Sequence, residues 1–232
     1  MALFAISDLH LSLGTDKPMD VFSYAWEGYV EKLKKNWINT VEETDEVIIP
    51  GDISWATYLE DVRNDFDFLE SLPGKKIISK GNHDYWWATI AKMENFLDAN
   101  GYKSISFLHN NFYKYKEWTI CGTRGWSSCE KSIKADHDKI FHREQNRLEL
   151  SLQKAVNDGA QKIIAVMHYP PFYCEPGENS FINIMKRYGV SMCIYGHLHG
   201  DFSFARQGMI DGIEFKFVSS DYLEFIPLKI CK

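Results

Sequence analysis

The chain has 232 residues, 45% hydrophobic and 25% charged, with a formal net charge of −6. That length suits one sizeable domain with a well-covered core, so residues 1–232 read as a single domain. The acidic balance disfavours long nucleic acids as partners, because these call for a basic surface, although bound cations would make one face locally positive.

No apolar run approaches the roughly 18 residues that span a bilayer, which excludes a membrane-spanning helix. The start, Met1-Ala2-Leu3-Phe4-Ala5-Ile6, reaches Asp8 too soon for a signal peptide and lacks a basic leader. Cys121, Cys129, Cys174, Cys193 and Cys231 are odd in number and form no Cys-x-x-Cys pair. They read as reduced packing thiols of a cytoplasmic protein.

Residues 3–7 form an apolar run that predicts a buried strand ending at Asp8-Leu9-His10. Val30, Leu33, Trp37 and Val41 fall at helical spacing and predict a helix over 27–41. Val47-Ile48-Ile49 is a short all-apolar strand of the kind buried in a parallel sheet, and Gly51-Asp52 follows it. Leu59, Val62, Phe66 and Leu69 predict a second helix, stopped by Pro73-Gly74. A third strand at 77–79 feeds Gly81-Asn82-His83-Asp84, and a helix over 86–99 closes at Asn100-Gly101, a left-handed cap.

Beyond residue 104 the segments 105–108, 112–115 and 118–121 are short and aromatic-rich, and predict antiparallel strands. A long helix is expected over 139–157 with Phe141, Leu148, Leu152 and Val156 inward. The strand at 163–167 delivers His168, and after a short helix over 180–188 the strand at 192–195 delivers Gly196-His197-Leu198-His199. Segments 202–206, 213–219 and 223–228 read as strands again. The polar motifs always follow strands, and ligands of open α/β sheets bind beyond the carboxyl ends of strands.

The motifs supply Asp8, His10, Asp52, Asn82, His168, His197 and His199, a set of oxygen and imidazole donors without thiols. Such donors suit divalent cations such as Mn, Fe or Zn, and seven of them suffice for two metals sharing a carboxylate. Paired metals are the usual equipment for splitting phosphate esters.

The ordered series Asp-x-His, Gly-Asp, Gly-Asn-His-Asp, His and Gly-His-x-His resembles the calcineurin-like metallophosphoesterase superfamily, over Asp8 to His199. The resemblance implies a four-layer α/β/β/α sandwich of two mixed sheets flanked by helices. It also implies two divalent transition-metal ions, of the Mn, Fe, Zn or Ni kind. Asp8, His10, Asp52 and His199 would hold one, and Asp52, Asn82, His168 and His197 the other, with Asp52 bridging through its two oxygens. A bridging water or hydroxide would attack a small phosphodiester or monoester bound across both metals. His83 would act on the transition state or leaving group without binding metal. A nuclease of the same fold and a metal-stabilised scaffold without catalysis are the rival readings, and no ligand is missing to favour the scaffold.

In one respect the sequence departs from the pattern. Many members read Gly-Asp-x-x-Asp, and the last carboxylate orients the catalytic histidine; here Trp55 stands there, and neighbouring Asp84 is no assured substitute.

Arg124, between glycines after a strand, is suited to phosphate oxygens, with a structural salt bridge as the competing role. Trp55, Tyr85, Trp86, Trp87, Tyr169, Phe172 and Tyr173 offer either a stacking wall or core packing. Glu175 and Glu178 would make one lip acidic. His109, His137 and His142 match no motif, and His142 is expected on a solvated helix face with Arg143 and Glu144.

Overall fold

The computed structural model describes residues 1–17, 19–21, 23–126, 134–172 and 180–232, the side chains of 134–137 excepted. Cys129, Cys174, Tyr173, Glu175 and Glu178 lie outside the described residues, as does the side chain of His137.

The first half alternates strand and helix: β1 (Leu3–Ala5), α1 (Tyr29–Thr40), β2 (Glu46–Ile49), α2 (Arg63–Ser71), β3 (Lys75–Ile78), α3 (Ile90–Asn100) and β4 (Ile105–Phe107). These four strands are parallel and adjacent in that order, and β11 (Leu228–Cys231) runs antiparallel along the free edge of β1. The second half contains β5 (Phe112–Tyr115), β6 (Trp118–Thr123), α4 (Lys134–Asn157), β7 (Lys162–Met167), α5 (Phe181–Arg187), β8 (Val190–Tyr195), β9 (Gly208–Ile210) and β10 (Ile213–Phe217). Here β6, β7, β8 and β10 are parallel, and β5 and β9 close the two edges antiparallel.

Alternation along the strands builds the layers, since successive side chains point to opposite faces. Leu3, Ala5, Ile48 and Ile77 face Ile120, Ile164, Val166, Met192, Ile194 and Val218 in a core between the sheets. Phe4, Val47, Ile49 and Ile78 face the other way, onto Leu33, Trp37, Phe66, Leu69 and Met93 of α1, α2 and α3. Ile163, Ala165 and Cys193 pack outward against Leu148, Leu152, Phe181 and Ile184 of α4 and α5. Both faces of each sheet are covered, which is why the strands read as continuous apolar runs. The expected α/β/β/α sandwich is the architecture observed.

Several boundaries differ from expectation for physical reasons. The first helix begins only at Tyr29, because Gly28 is left-handed. The third begins at Ile90, because residues 85–88 follow tight turns (Tyr85 N–H to His83, Trp87 N–H to Asp84). Its predicted Gly101 cap is present. On α4, Ala155 is buried and Val156 is exposed, which moves the inward stripe by one residue. Glu144 is likewise fully buried, where a solvated face was expected; His142 is exposed.

Of the segments expected to be antiparallel, only β5 and β6 pair that way. β4 follows a helical crossover and joins β3 in parallel. Residues 202–206 form a turn closed by Ala205 N–H onto the Phe202 carbonyl. Glu224 and Phe225 both adopt positive φ, which breaks the strand expected over 223–228 and delays it to β11. Cys121 and Cys193 are buried free thiols and Cys231 is half-buried. No helix among the described residues is long and apolar enough to cross a membrane.

Candidate metal centre

The loops after β1, β2, β3, β7 and β8 meet at one end of the two sheets. Backbone pairing locks them together: the amides of Asp8 and His10 donate to the carbonyls of Gly51 and Asp52, and that of Gly196 to His168. Asp8 (φ 60°), His10 (φ 45°), Asp52 (φ 53°) and His197 (φ 77°) all adopt the left-handed region that side chains disfavour. Strain of this kind persists only where the surroundings over-determine it. A Cβ on Gly81 would lie 2.0 Å from Asp52 Oδ1, and one on Gly196 would lie 2.3 Å from Asp8 Oδ2, so only glycine allows these loops to close. Gly196 therefore makes room for a carboxylate rather than for an ion; Gly200 has open space around it.

The side chains converge in two groups. His10 Nε2 lies 3.1 Å from His199 Nε2, which is 3.3 Å from Asp8 Oδ1. On the other side His168 Nε2 lies 2.6 Å from Asn82 Oδ1, and His197 Nδ1 lies 3.0 Å from Asn82 Oδ1 and 3.1 Å from His168 Nε2. Asp52 stands between them, its Oδ2 3.7 Å from His10 Nε2 and 3.5 Å from His168 Nε2. Its Oδ1 accepts the His83 amide at 2.8 Å, so a single oxygen, not one per group as expected, faces both sets. Asp8, His10 and His199 present ligand atoms within 4.8 Å of one another, as do Asp8, Asp52 and His168.

These spacings fit a cation. Donors about 2.1 Å from one ion at right angles are about 3 Å apart, the separation seen across both groups. Four imidazole nitrogens and an amide oxygen stand this close together, a spacing that a shared positive partner accounts for.

Groups behind the cluster set the tautomers. His168 Nδ1 lies 2.9 Å from the Pro50 carbonyl, and His199 Nδ1 lies 3.1 Å from Asp221 Oδ1, so each donates outward and turns Nε2 into the site. Burial lowers His168 to about 3, so it is a neutral donor. Burial also acts against charge on His199, but Asp8 and Asp221 outweigh it and raise it to about 10. Burial favours a neutral Asp8, yet His199, His168 and His10 hold its carboxyl far below the usual range. For Asp52, burial and then Asp84 and Asp8 push the carboxyl well up. A bound cation relieves that crowding of negative charge.

The sequence pattern of the family described as calcineurin-like phosphoesterase matches residues 1–201. The chain belongs to the calcineurin-like phosphoesterase family. Among solved structures, it is similar to the protein of unknown function AQ665 from Aquifex aeolicus (15% identity, 98% of this chain and 95% of that one, TM-score 0.52). It is also similar to TT1561 of Thermus thermophilus (16% identity, 92% and 86% covered, TM-score 0.55). At these identities the likeness concerns the fold. No curated protein matches the chain.

Within this calcineurin-like phosphoesterase, Trp55 packs against His83 (ring centroids 4.4 Å) and stacks on His10 (5.0 Å), while its indole N–H donates to Met19 Sδ at 3.1 Å. At position 55 an aromatic face thus packs against His83, where the sequence pattern led to the expectation of a carboxylate. Asp84 does not take over that task. Both its oxygens are occupied by the amides of Gly81, Asp52, Ile53 and Ser54 and by the Trp86 indole N–H, which makes it the anchor of the two loops.

Arg124 is 3.6 Å from the buried Glu144 and lies over the Trp126 ring. Its carbonyl accepts the amides of His168 and Tyr169. Of the described residues in the expected aromatic set, Trp86 and Tyr169 are buried, Trp87 and Phe172 pack into the two outer cores, and Tyr85 alone stands exposed.

Sequence reasoning missed three groups. Asp221 follows the apolar run of β10 as part of Ser219-Ser220-Asp221, a strand-end polar motif like the others. Ser7 and Ser219 donate to Asp8 Oδ2, and Ser220 Oγ to its carbonyl. Trp26 sets its ring edge-on to His10 and His199 at 5.7 and 5.5 Å, from a segment with no periodic signal.

Proposed function

We propose that this chain hydrolyses small phosphate monoesters or diesters with two divalent cations of the Mn, Fe, Zn or Ni kind. Asp8, His10, Asp52 and His199 would hold one cation, and Asp52, Asn82, His168 and His197 the other. When bound, the cations supply charge to the phosphate oxygens and acidify a water enough to attack near neutral pH. The reading is carried by one observation: the two donor groups meet at Asp52 Oδ2, within 3.7 Å of a histidine from each.

The remaining roles fall to the chain's own groups. The His83 amide pins the outer oxygen of Asp52, which keeps Oδ2 turned inward. The His83 ring, held by Trp55 beside His10, is placed to donate a proton or hydrogen bond as charge builds on the leaving oxygen. Asn82 contributes a neutral oxygen, so the cluster keeps net positive charge for an anionic ester once loaded.

The test is hydrolysis of p-nitrophenyl phosphate and bis-p-nitrophenyl phosphate by protein loaded separately with Mn, Fe, Zn, Ni or Mg. Metal-dependent release of p-nitrophenol, abolished by chelation, is expected. Inertness toward both esters with two ions bound would mark a scaffold. Efficient, salt-sensitive cutting of single-stranded DNA would make the chain a nuclease.

A further inference from the structure

Next to the metal-ligand cluster lies a second polar pocket, lined among others by Lys80, His109, Thr123, Arg124, Glu144 and Arg147. It surrounds about 250 Å³ of empty space, open solvent included, with room inside for about one water molecule. Glu144 is fully buried. It accepts from Thr123 Oγ1 and from Arg147 Nη1, both at 2.8 Å, with Arg124 Nη2 at 3.6 Å.

One lining carboxylate is thus surrounded by Lys80, Arg124 and Arg147, and the close contact of Arg147 already satisfies it. Lys80 forms no ion pair or hydrogen bond among the described residues. The Nε–H of Arg124 is buried with no acceptor among them. A charged donor buried without an acceptor is costly unless a ligand or water supplies one. A surplus of cations in a low-dielectric wall attracts anions, and a guanidinium edge matches the two oxygens of a carboxylate or phosphate.

The pocket is tied to the cluster by the chain itself. Lys80 leads directly into Gly81 and Asn82, and the Arg124 carbonyl holds the His168 and Tyr169 amides at 3.0 and 2.9 Å. It therefore flanks the Asn82–His168 side of the centre.

We propose that this pocket is an oxyanion subsite that receives an oxygen of a second phosphate or carboxylate group carried by the substrate beyond the ester being cleaved. Preferred substrates are then small phosphate esters with an additional anion. The room inside admits one oxygen, and the rest of the group sits at the mouth between Lys80 and Arg147. This inference rests on the phosphoesterase reading and narrows its substrate class.

Two measurements on the metal-loaded full chain test it. Calorimetric titration with inorganic phosphate is expected to show two binding events, of which one weakens about tenfold or more in Arg147→Gln, the loss typical of a charged hydrogen bond. Arg147→Lys should keep most of that event, which separates charge from folding, and Lys80→Gln provides an independent variant. In the second measurement, kcat/KM is compared for phenyl phosphate and a phenyl phosphate bearing a carboxylate or second phosphate. The second anion should raise kcat/KM mainly through KM, and the advantage should shrink in Arg147→Gln and Lys80→Gln.

A phosphate event unchanged in both variants overturns the subsite. An Arg147-dependent event without preference for the second anion overturns the substrate assignment and makes the pocket a free-anion site. Inertness toward every ester with that event intact overturns the phosphoesterase reading, and with it the substrate assignment, while the anion site itself stands.

Discussion

Asp221→Ala separates the holding of a ligand from the ligand itself. Asp221 Oδ1 receives His199 Nδ1–H at 3.1 Å and Oδ2 receives the Gly200 amide at 3.1 Å, which directs His199 Nε2 toward Asp8 Oδ1 at 3.3 Å. Without the carboxylate, the ring angle and tautomer of His199 are no longer fixed. A hydrogen bond to a charged acceptor contributes about 1.5–3 kcal/mol, which matches the roughly 10–100-fold loss of metal affinity typical of partners behind a ligand. The Gly200 amide is exposed and finds water, so its share is small. Asp221→Asn keeps a neutral acceptor and should lose about tenfold or less. Competitive titration of Mn or Zn against a chromophoric chelator reads both steps. One of two ions should weaken in Asp221→Ala while the other holds, with the folded state retained in excess chelator, as read by circular dichroism. Two ions bound as tightly as in wild type, or both weakened alike, would refute the assignment of His199 to one cation.

Asp52→Asn should lower the content of both ions and ester hydrolysis together, as measured by elemental analysis and p-nitrophenol release, because its Oδ2 faces both groups. His83→Ala should retain both ions and lose about 10²–10⁴-fold in kcat, less for p-nitrophenol than for an alkoxide leaving group; the absence of a carboxylate at position 55 places the loss toward the lower end. Lys76 is fully buried, with Nζ donating to the Leu72 carbonyl and to Ser104 Oγ, and burial lowers its pKa to about 8. The unfolded chain therefore binds more protons between about pH 8 and 10.5, so stability is lower below pH 8 and rises with pH through that window. Lys76→Met should flatten the rise and add at most about 3 kcal/mol at pH 7, read from urea midpoints against pH.

The layers were legible in the sequence because strands buried on both faces leave continuous apolar runs, as at residues 3–7, 47–49 and 163–167. The motifs whose side chains converge at the candidate centre were legible because each follows such a run. What stayed hidden depends on long-range partners. Asp211-Gly212, both at positive φ between Ile210 and Ile213, is a two-residue hairpin signal that fixes β9, yet the aromatic stretch 202–206 looked more like a strand. Glu144 read as a surface charge because nothing local shows that Arg124, Arg147 and Thr123 enclose it. Asp221 was passed over although Ser219-Ser220-Asp221 follows the apolar run of β10, because that motif lies outside the ordered series and its partner His199 is 22 residues away. The tryptophan at 55 was visible as a departure, but only its packing on His10 and His83 shows what replaces the carboxylate.

The two donor groups are not equivalent. Behind the Asp8–His10–His199 group stands a second carboxylate, Asp221, and Asp8 itself contributes a full negative charge. Behind the Asn82–His168–His197 group stands the Pro50 carbonyl, and its first oxygen donor is a neutral amide. Asp52 is shared, so it does not distinguish them. A carboxylate behind a histidine makes the ring more basic than a carbonyl does, and charged donors bind cations more strongly than neutral ones. Both differences favour the Asp8 group. Removal of metal by a chelator should therefore proceed in two steps, with the ion beside Asn82 leaving first. Asn82→Asp supplies the missing charge and should bring the steps together. Stopped-flow chelation monitored by metal content resolves the order. A single step in the wild type, or earlier loss of the ion whose binding depends on Asp221, would show that the charge behind the ligands does not set their hold on the metals.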